Sequence, residues 1–278
     1  MRSPLFGKTG ERQDMKSILV TLLVVLAGCA STQKPSGEAV RDLAPGGTLR
    51  AAINFGNPVL ASKDAVGRPA GVSVDLALEL GQRLGVPVEL IPFDAAGKVT
   101  AAAKSGVWDI AFVALDPQRA QDMEQSPPYV VIEGAYLVRQ DSKIKSNDEV
   151  DRPGNRIVVG RGSAYDLFLS RAIKQADLVR TPTSGTVVDF FLKENLEVAA
   201  GVKQQLEADA KRTPGVRLLP GRFMVINQAM ASQKGKSAGA AYLRSFIEEM
   251  KASGFVAKAL ERHGIQGAAV ASAGDARP

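Results

Sequence analysis

The stretch SGVWDIAFVALDPQR, residues 105–119, decides the fold of this chain. Residues 108–115 form an apolar run interrupted only by Asp109, which is typical of a strand buried in a sheet. Asp116 and Pro117 follow at once, and this pair favours a helix N-cap with proline in the first helical position. A buried strand that leads straight into a helical turn indicates an α/β protein with a parallel sheet.

The alternation of strand and helix continues on both sides of this stretch. The predicted strands are 48–53, 86–92, 129–131, 135–138, 157–159, 178–180, 197–201, 216–219 and 223–231, and the predicted helices are 73–84, 95–105, 163–173, 186–193, 204–211, 237–253 and 255–262. A polar segment at 139–153, which contains the turn signal Asp-Arg-Pro-Gly, separates two such series. The sequence therefore predicts two α/β lobes, each with a mixed sheet, joined by two crossings of the chain.

Domain boundaries follow from the same pattern. Lobe one is predicted at 47–139, lobe two at 140–229, and a return to lobe one through C-terminal helices at 230–264. Residues 265–278 are rich in alanine, glycine and serine and are predicted to be a disordered tail. Two lobes joined by two crossings create a cleft, and open α/β sheets bind ligands at the carboxyl ends of their strands near such a point.

The first 28 residues have the features of an export signal. Residues 18–27, ILVTLLVVLA, are apolar but too few to span a bilayer, and Lys16 supplies the positive charge before them. The run ends in Leu-Ala-Gly-Cys at Cys29, which resembles a bacterial lipoprotein cleavage box whose cysteine is lipidated. Met15 is a natural start for such a signal, and the choice between Met1 and Met15 stays open. Residues 29–46 are predicted to be a flexible tether.

Composition excludes several classes of protein. The 278 residues carry a net charge of +6 that is spread along the chain, so nucleic acid is not an expected partner. With Cys29 as the single cysteine and His263 as the single histidine, neither an internal disulfide nor a His/Cys zinc site is expected. His263 ends a predicted helix before Gly264 and is interpreted as a last-turn residue, not a catalytic base. No metal, cofactor or catalytic residue is predicted.

Three segments carry a family resemblance. Residues 105–119, followed by Ser-Pro-Pro-Tyr at 126–129, resemble the first-lobe signature of bacterial extracellular solute-binding proteins of the polar amino-acid type. Residues 71–76, GVSVDL, resemble that family's helix entry, and residues 159–164, VGRGSA, resemble its second-lobe turn. The order and spacing fit residues 47–264. The resemblance implies a venus-flytrap, periplasmic-binding-protein fold that closes on a small molecule and delivers it to an ABC-transporter permease.

The resemblance also implies a ligand site between the lobes. In that family an arginine after the turn holds the ligand carboxylate, and this role falls on Arg119, whose planar guanidinium can form two parallel hydrogen bonds. A helix N-terminus in lobe two is expected to bind the same carboxylate through backbone N–H groups. The other residues expected at the site are Gly162, Ser163 and Ala164 at that N-terminus, and Asn54, Phe55 and Asn57 in the loop after the first strand, with Phe55 as an aromatic wall.

Three positions depart from the family pattern. Ala114 and Asp116 replace a serine and a threonine, and Val202 or Lys203 lies where amino-acid binders place the aspartate that holds the ligand ammonium. Asp116 caps the following helix, contacts the ligand or pairs with Arg119. A cation at Lys203 would repel an ammonium, and an ammonium buried without an acidic partner is costly. The expected ligand is therefore a small carboxylate that lacks an α-ammonium.

These observations predict a monomeric, lipid-anchored periplasmic binding protein without enzymatic activity. Membrane contact is expected through the lipid only. Two alternatives stay open: a cyclohexadienyl-dehydratase-like enzyme on the same scaffold, and a ligand-sensing protein. Glu133 and Lys203 are the candidate acid and base for the enzyme alternative.

The lipid anchor has a direct test. We expect cleavage before Cys29 and membrane attachment through its sulfur, because several acyl chains hold a protein stably on a membrane whereas one does not. Cys29→Ser should move the protein from the membrane fraction to the soluble fraction, and the control Ser31→Ala should leave it membrane-bound. A membrane-bound Cys29→Ser protein, or a mature N-terminus at another residue, would contradict the prediction.

Overall fold

A computed structural model of the chain describes residues 33–274. The predicted signal segment and Cys29 lie outside these residues. Within the described range, no helix combines the length and the apolar character that a membrane crossing requires.

The described chain alternates strands and helices, as the sequence predicts. The helices are α1 Gly37–Leu43, α2 Val72–Leu84, α3 Ala96–Ala101, α4 Ala164–Ala172, α5 Val187–Lys193, α6 Lys203–Arg212, α7 Ser237–Ala252 and α8 Phe255–Arg262. The strands are β1 Leu49–Asn54, β2 Ser62–Lys63, β3 Pro69–Ala70, β4 Val88–Phe93, β5 Ile110–Ala114, β6 Met123–Arg139, β7 Arg156–Gly160, β8 Asp177–Thr181, β9 Val198–Val202, β10 Val216–Leu218, β11 Met224–Gln233 and β12 Ala269–Val270.

A mixed sheet lies in each of two lobes, which confirms the predicted fold class. In lobe one, β4, β1 and β5 are parallel, and β11 is antiparallel to β5. In lobe two, β8, β7 and β9 are parallel, and β6 is antiparallel to β9. The two long strands β6 and β11 pair with each other and connect the two halves of the sheet.

The first crossing between the lobes lies earlier than the sequence predicts. Residues 134–137 of β6 already pair with β9 of lobe two, whereas the predicted boundary was at residue 139. The patterns at 129–131 and 135–138 indicate strand that leaves lobe one, and both belong to one 17-residue strand, β6. A crossing inside a continuous strand produces no turn signal in the sequence. The turn signal in the polar segment at 139–153 therefore does not mark the crossing.

An arginine–carboxylate pair joins β1 to β5 at the start of the fold-deciding strand. Asp109 is 4% exposed and accepts hydrogen bonds from the backbone N–H of Arg50 at 2.9 Å and from its Nη2 at 2.6 Å. Beside it, Trp108 is fully buried, and its Nε1 donates to the carbonyl of Val99 in α3 at 3.1 Å. These contacts fix the register of the central strand and the position of α3, which contributes to the cleft.

Lobe two contains an equivalent arginine–carboxylate pair. Glu197, immediately before β9, accepts from the backbone N–H of Arg156 at 2.9 Å and from its Nε at 2.9 Å. As in lobe one, the arginine begins a central strand and the acid precedes the neighbouring parallel strand. Each parallel pair is therefore pinned at its start, which leaves the carboxyl ends of the strands to form the cleft.

Both predicted flexible ends contain ordered structure. The sequence predicts a tether at 29–46, but residues 37–43 form α1, whose Leu43 is fully buried. The carboxylate of Asp42 accepts from the backbone N–H of Gly239 at 3.0 Å, which attaches α1 to α7. In the predicted disordered tail, β12 pairs with residues 130–131 of β6. Tertiary packing against α7 and β6 stabilises these segments despite their small and polar residues.

Two glycines bring the lobes into contact at the cleft. Gly97 in α3 of lobe one lies against the turn that precedes α4 of lobe two, and a Cβ on Gly97 would lie 2.8 Å from the carbonyl oxygen of Arg161. Gly162 in that turn has φ +68°, and a Cβ there would lie 2.5 Å from the Cα of Gly97. The absence of both side chains permits this close approach.

We predict that Gly97→Leu prevents full closure of the lobes. A leucine side chain at this position would overlap the backbone of 161–162, and opening of the cleft relieves that overlap. Small-angle X-ray scattering should give a larger radius of gyration for Gly97→Leu than for the native protein. Gly46→Leu, in the turn between α1 and β1, is the control, because a Cβ there meets no atom within 4 Å. Equal radii for the three proteins would contradict the prediction.

Candidate ligand-binding site

A cavity of about 30 Å³ lies between the two lobes at the carboxyl ends of their parallel strands. We call it the central cavity. Six of the residues expected at the site line it, and these are Asn54, Asn57, Ala114 and Arg119 from lobe one and Ser163 and Ala164 from lobe two. The cavity is therefore bordered by both lobes, as a ligand that drives closure requires.

Arg119 lies in the 3-10 turn after β5, and its side chain is 1% exposed. Its Nη1 donates to the carbonyl of Ala114 at 3.0 Å, and its Nη2 donates across the cleft to the carbonyl of Gly162 at 2.9 Å. Its Nε is buried and has no hydrogen-bond partner in the described chain. Burial lowers the pKa of Arg119 to about 10, and the charge of Asp116 acts in the opposite direction. The side chain is thus a buried cation at neutral pH.

The turn before α4 uses most of its own N–H groups. Ser163 is the N-cap of α4, and its side chain accepts from the N–H of Asp166 at 3.0 Å. The N–H of Gly162 donates to the Asp166 carboxylate at 2.8 Å, and the N–H of Ser163 donates to the carbonyl of Gly160 at 3.1 Å. Two of the three expected anion-binding N–H groups are therefore occupied. Ala164, the first residue of α4, lines the cavity.

The loop after β1 contributes two amides to the cavity. Asn54 Oδ1 accepts from the N–H of Gly56 at 2.9 Å, which shapes the loop. Asn57 Oδ1 is buried without a hydrogen-bond partner in the described chain. Asn57 and Arg119 both line the central cavity, so each brings a polar side chain with an unsatisfied atom to this part of the cleft.

Three polar lining residues were missed from the sequence. The Tyr165 hydroxyl donates to Ser184 Oγ at 2.8 Å, and burial raises the pKa of Tyr165. Gln228 lies on β11 opposite Ala114 of β5 and is 5% exposed. The polar pair Asn227 and Gln228 in the middle of the apolar stretch 223–231 is the available signal for Gln228. Tyr165 and Ser184 had none, because they meet only when β7 and β8 bring their loops together.

Asp116 caps the turn that follows it and also forms an ion pair between the two lobes. Its Oδ1 accepts from the N–H of Gln118 at 2.8 Å, and its Oδ2 accepts from Nη2 of Arg171 in α4 at 2.8 Å. The sequence predicts a helix after Pro117, but residues 119–121 form only a single 3-10 turn. Asp116 does not line the central cavity, and its charge is balanced by Arg171.

Phe55 and Lys203 lie away from the central cavity, contrary to expectation. The Phe55 ring faces the Nζ of Lys63 at 5.7 Å and borders a separate surface pocket. Lys203 begins α6, and its Nζ donates to Glu133 Oε2 at 2.9 Å. Side-chain direction explains both errors: Gly56 and Val202, each one residue away, line the cavity instead.

The lining combines apolar and polar side chains with a single charge. Within the described chain its amides and hydroxyls are neutral, Arg119 is the one cation, and no acidic side chain borders the cavity. A small anion placed there would receive charge-assisted hydrogen bonds, which are shorter and stronger than those between neutral groups.

Sequence relatives include two bacterial proteins of different kinds. Over 158 residues, the chain is 30% identical to the membrane-bound lytic murein transglycosylase F of Idiomarina loihiensis, a match that covers 55% of this chain and 33% of the relative. The chain thus spans about a third of that protein. It is 23% identical over 198 residues to the cyclohexadienyl dehydratase of Pseudomonas aeruginosa, covering 68% of this chain and 73% of the relative.

Solved structures with the same fold include amino-acid receptors. The L-cysteine solute receptor of Neisseria gonorrhoeae superimposes with a TM-score of 0.72 at 21% identity, covering 82% of this chain and 94% of the receptor. An amino acid ABC transporter substrate-binding protein of Streptococcus pneumoniae bound to L-arginine superimposes with a TM-score of 0.69 at 19% identity. The superposition covers 80% of this chain and 96% of the Streptococcus protein. At these identities the likeness establishes the fold.

The decisive comparison is with a whole family. Residues 49–266, from β1 to the end of the described helical core, match the bacterial extracellular solute-binding proteins, family 3. The match includes both lobes, both crossings and every residue that lines the central cavity. The chain belongs to family 3 of the bacterial extracellular solute-binding proteins.

Proposed function

We propose that this protein captures a small carboxylate between its lobes and delivers it to an ABC importer without converting it. The observation that carries the proposal is Arg119, a fully buried guanidinium in a cavity without an acidic side chain. Membership of the solute-binding family supports capture and delivery, and the lipobox at Cys29 supports a lipid-anchored, periplasmic location.

The charge of the cavity favours an anion. Desolvation of a cation is costly, and the two carbonyl oxygens that contact Arg119 do not compensate its charge. A ligand carboxylate supplies the missing negative charge and can accept from the unpartnered Nε. Binding an anion therefore relieves an electrostatic cost that the closed protein otherwise carries.

The same cavity disfavours a free α-amino acid. An ammonium group would be buried without an acidic partner, because Asp116 is outside the central cavity and pairs with Arg171. Lys203 plays no part in this argument, since its charge is paired with Glu133. The two receptors of known structure named above bind amino acids, so the proposal distinguishes this chain from them in ligand class.

The enzyme alternative lacks suitable groups at the cavity. Hydrogen bonds from Lys203 and then from Arg222 lower the pKa of Glu133, which makes it a poor proton donor near neutral pH. Neither Glu133 nor Lys203 lines the central cavity. Both residues instead form an ion-paired cluster beside the crossing strands, with Arg222 Nη1 at 2.6 Å from Glu133 Oε1.

We predict that Arg119→Ala abolishes or greatly weakens carboxylate binding. Removal of a buried, charge-assisted contact should cost on the order of 2–5 kcal/mol of binding free energy. Thermal-shift screening of standard amino acids against mono- and dicarboxylates should identify a stabilising carboxylate, and calorimetry on the native and variant proteins should then give the difference. Mass spectrometry should recover that carboxylate unconverted.

Arg244→Ala is the matched control, because Arg244 is exposed on α7, away from the cleft. The carboxylate affinity of Arg244→Ala should equal that of the native protein. Arg119→Lys keeps the charge but loses the planar fork, so its affinity should lie between those of the native protein and Arg119→Ala. Strong stabilisation by a standard amino acid with no response to carboxylates would refute the proposal, as would unchanged affinity in Arg119→Ala.

A further inference from the structure

We propose that the ligand carries an apolar, preferably aromatic, tail, and that this tail occupies a second pocket beside the central cavity. The inference rests on the proposed function, because the tail is placed relative to a carboxylate at Arg119. The second pocket, which we call the flanking pocket, lies between the turn 115–117 of lobe one, Phe168 and Arg171 of α4, and residues 223–227 at the start of β11.

The volumes of the two spaces indicate a division between head and tail. The central cavity, at about 30 Å³, has room for one or two water molecules, which is comparable to a carboxylate group. The flanking pocket has a volume of about 350 Å³, within the ~300–1,000 Å³ typical of small-molecule sites. A ligand whose carboxylate reaches Arg119 in the closed protein must place its other atoms outside the central cavity.

Shared lining residues make the flanking pocket the neighbour of the central cavity. Ala114, Ala164 and Ile226 line both the central cavity and the flanking pocket. Two of these three side chains are single methyl groups, so the partition between the spaces is thin. The surface pocket beside Phe55 has no lining residue in common with the central cavity. The tail is therefore directed toward α4 and β11.

The flanking pocket presents an aromatic surface. The Phe223 ring stacks on Tyr136 with centroids 4.2 Å apart and an interplanar angle of 23°, and the Phe168 ring lies 6.0 Å from that of Phe223. Phe168 and Phe223 are both half-buried, so each retains ring surface that a ligand can cover. A planar aromatic group gains both apolar burial and ring–ring contact on such a surface.

The charges at this pocket favour a neutral tail. Its ionised side chains, Asp116 and Arg171, pair with each other at 2.8 Å. Asp116 Oδ1 is also occupied by the N–H of Gln118. A charged tail would have to compete with this bridge between the lobes, whereas a neutral tail leaves the bridge intact. The inferred ligand class is an aryl- or alkyl-carboxylate with a single negative charge.

The test compares propionate with 3-phenylpropionate, which differ only in the tail. Calorimetry on the native protein should show at least tenfold tighter binding of 3-phenylpropionate. Phe168→Ala should reduce that ratio to below threefold while leaving propionate affinity within twofold of the native value. Phe190→Ala is the matched control, because Phe190 is half-buried against a separate apolar cluster of lobe two and should preserve the tenfold ratio.

The outcomes separate this inference from the proposed function. If both acids bind equally in an Arg119-dependent manner, or if Phe168→Ala keeps the tenfold preference, the flanking pocket does not hold the tail and the carboxylate function still stands. If neither acid binds and no other carboxylate stabilises the native protein, the proposed function fails and this inference fails with it. Loss of the ratio in both Phe168→Ala and Phe190→Ala would overturn a specific role for Phe168.

Discussion

The site depends on one constraint, the burial of a guanidinium between two lobes. Arg119 belongs to lobe one, yet one of its two hydrogen bonds ends on the Gly162 carbonyl of lobe two. Carbonyl oxygens orient a guanidinium without neutralising it, so the closed cleft has an excess of positive charge. The neutral amides and hydroxyls around it can satisfy an anion but cannot replace one. Under the proposed function, ligand charge and lobe closure are coupled through this single side chain.

The rest of the fold supports this side chain through an arginine–carboxylate pair that occurs once in each lobe. In each lobe an arginine at the start of a central strand grips an acid that precedes the neighbouring parallel strand, Arg50 with Asp109 and Arg156 with Glu197. Both pairs are on the far side of the sheet from the cleft, since they lie at the amino ends of the strands. Each lobe is thus pinned at its base, and the connection between the lobes is made by β6 and β11.

Local patterns in the sequence predicted most elements of the fold, because apolar runs and glycine stops report burial and helix ends directly. The family resemblance, and not the local pattern, pointed to Arg119, Asn57 and Ser163, and these three residues line the central cavity. The resemblance failed where a neighbouring residue points into the cavity instead, as at Phe55 and Lys203. It also missed Gln228, since a residue on the returning strand β11 reaches the site only through pairing with β5.

Small residues explain why selectivity should be set at the edge of the cleft. Gly97 and Gly162 let the two backbones meet, and alanines at 96, 114 and 164 add little bulk to the lining. The central cavity is consequently small, and only a compact group fits against Arg119. A tight centre discriminates poorly among anions that share a head group, because all of them present the same atoms to the same donors. For the proposed carboxylate ligands, discrimination then has to come from surfaces that the head group does not reach, and the proposed surface is that of Phe168 and Phe223.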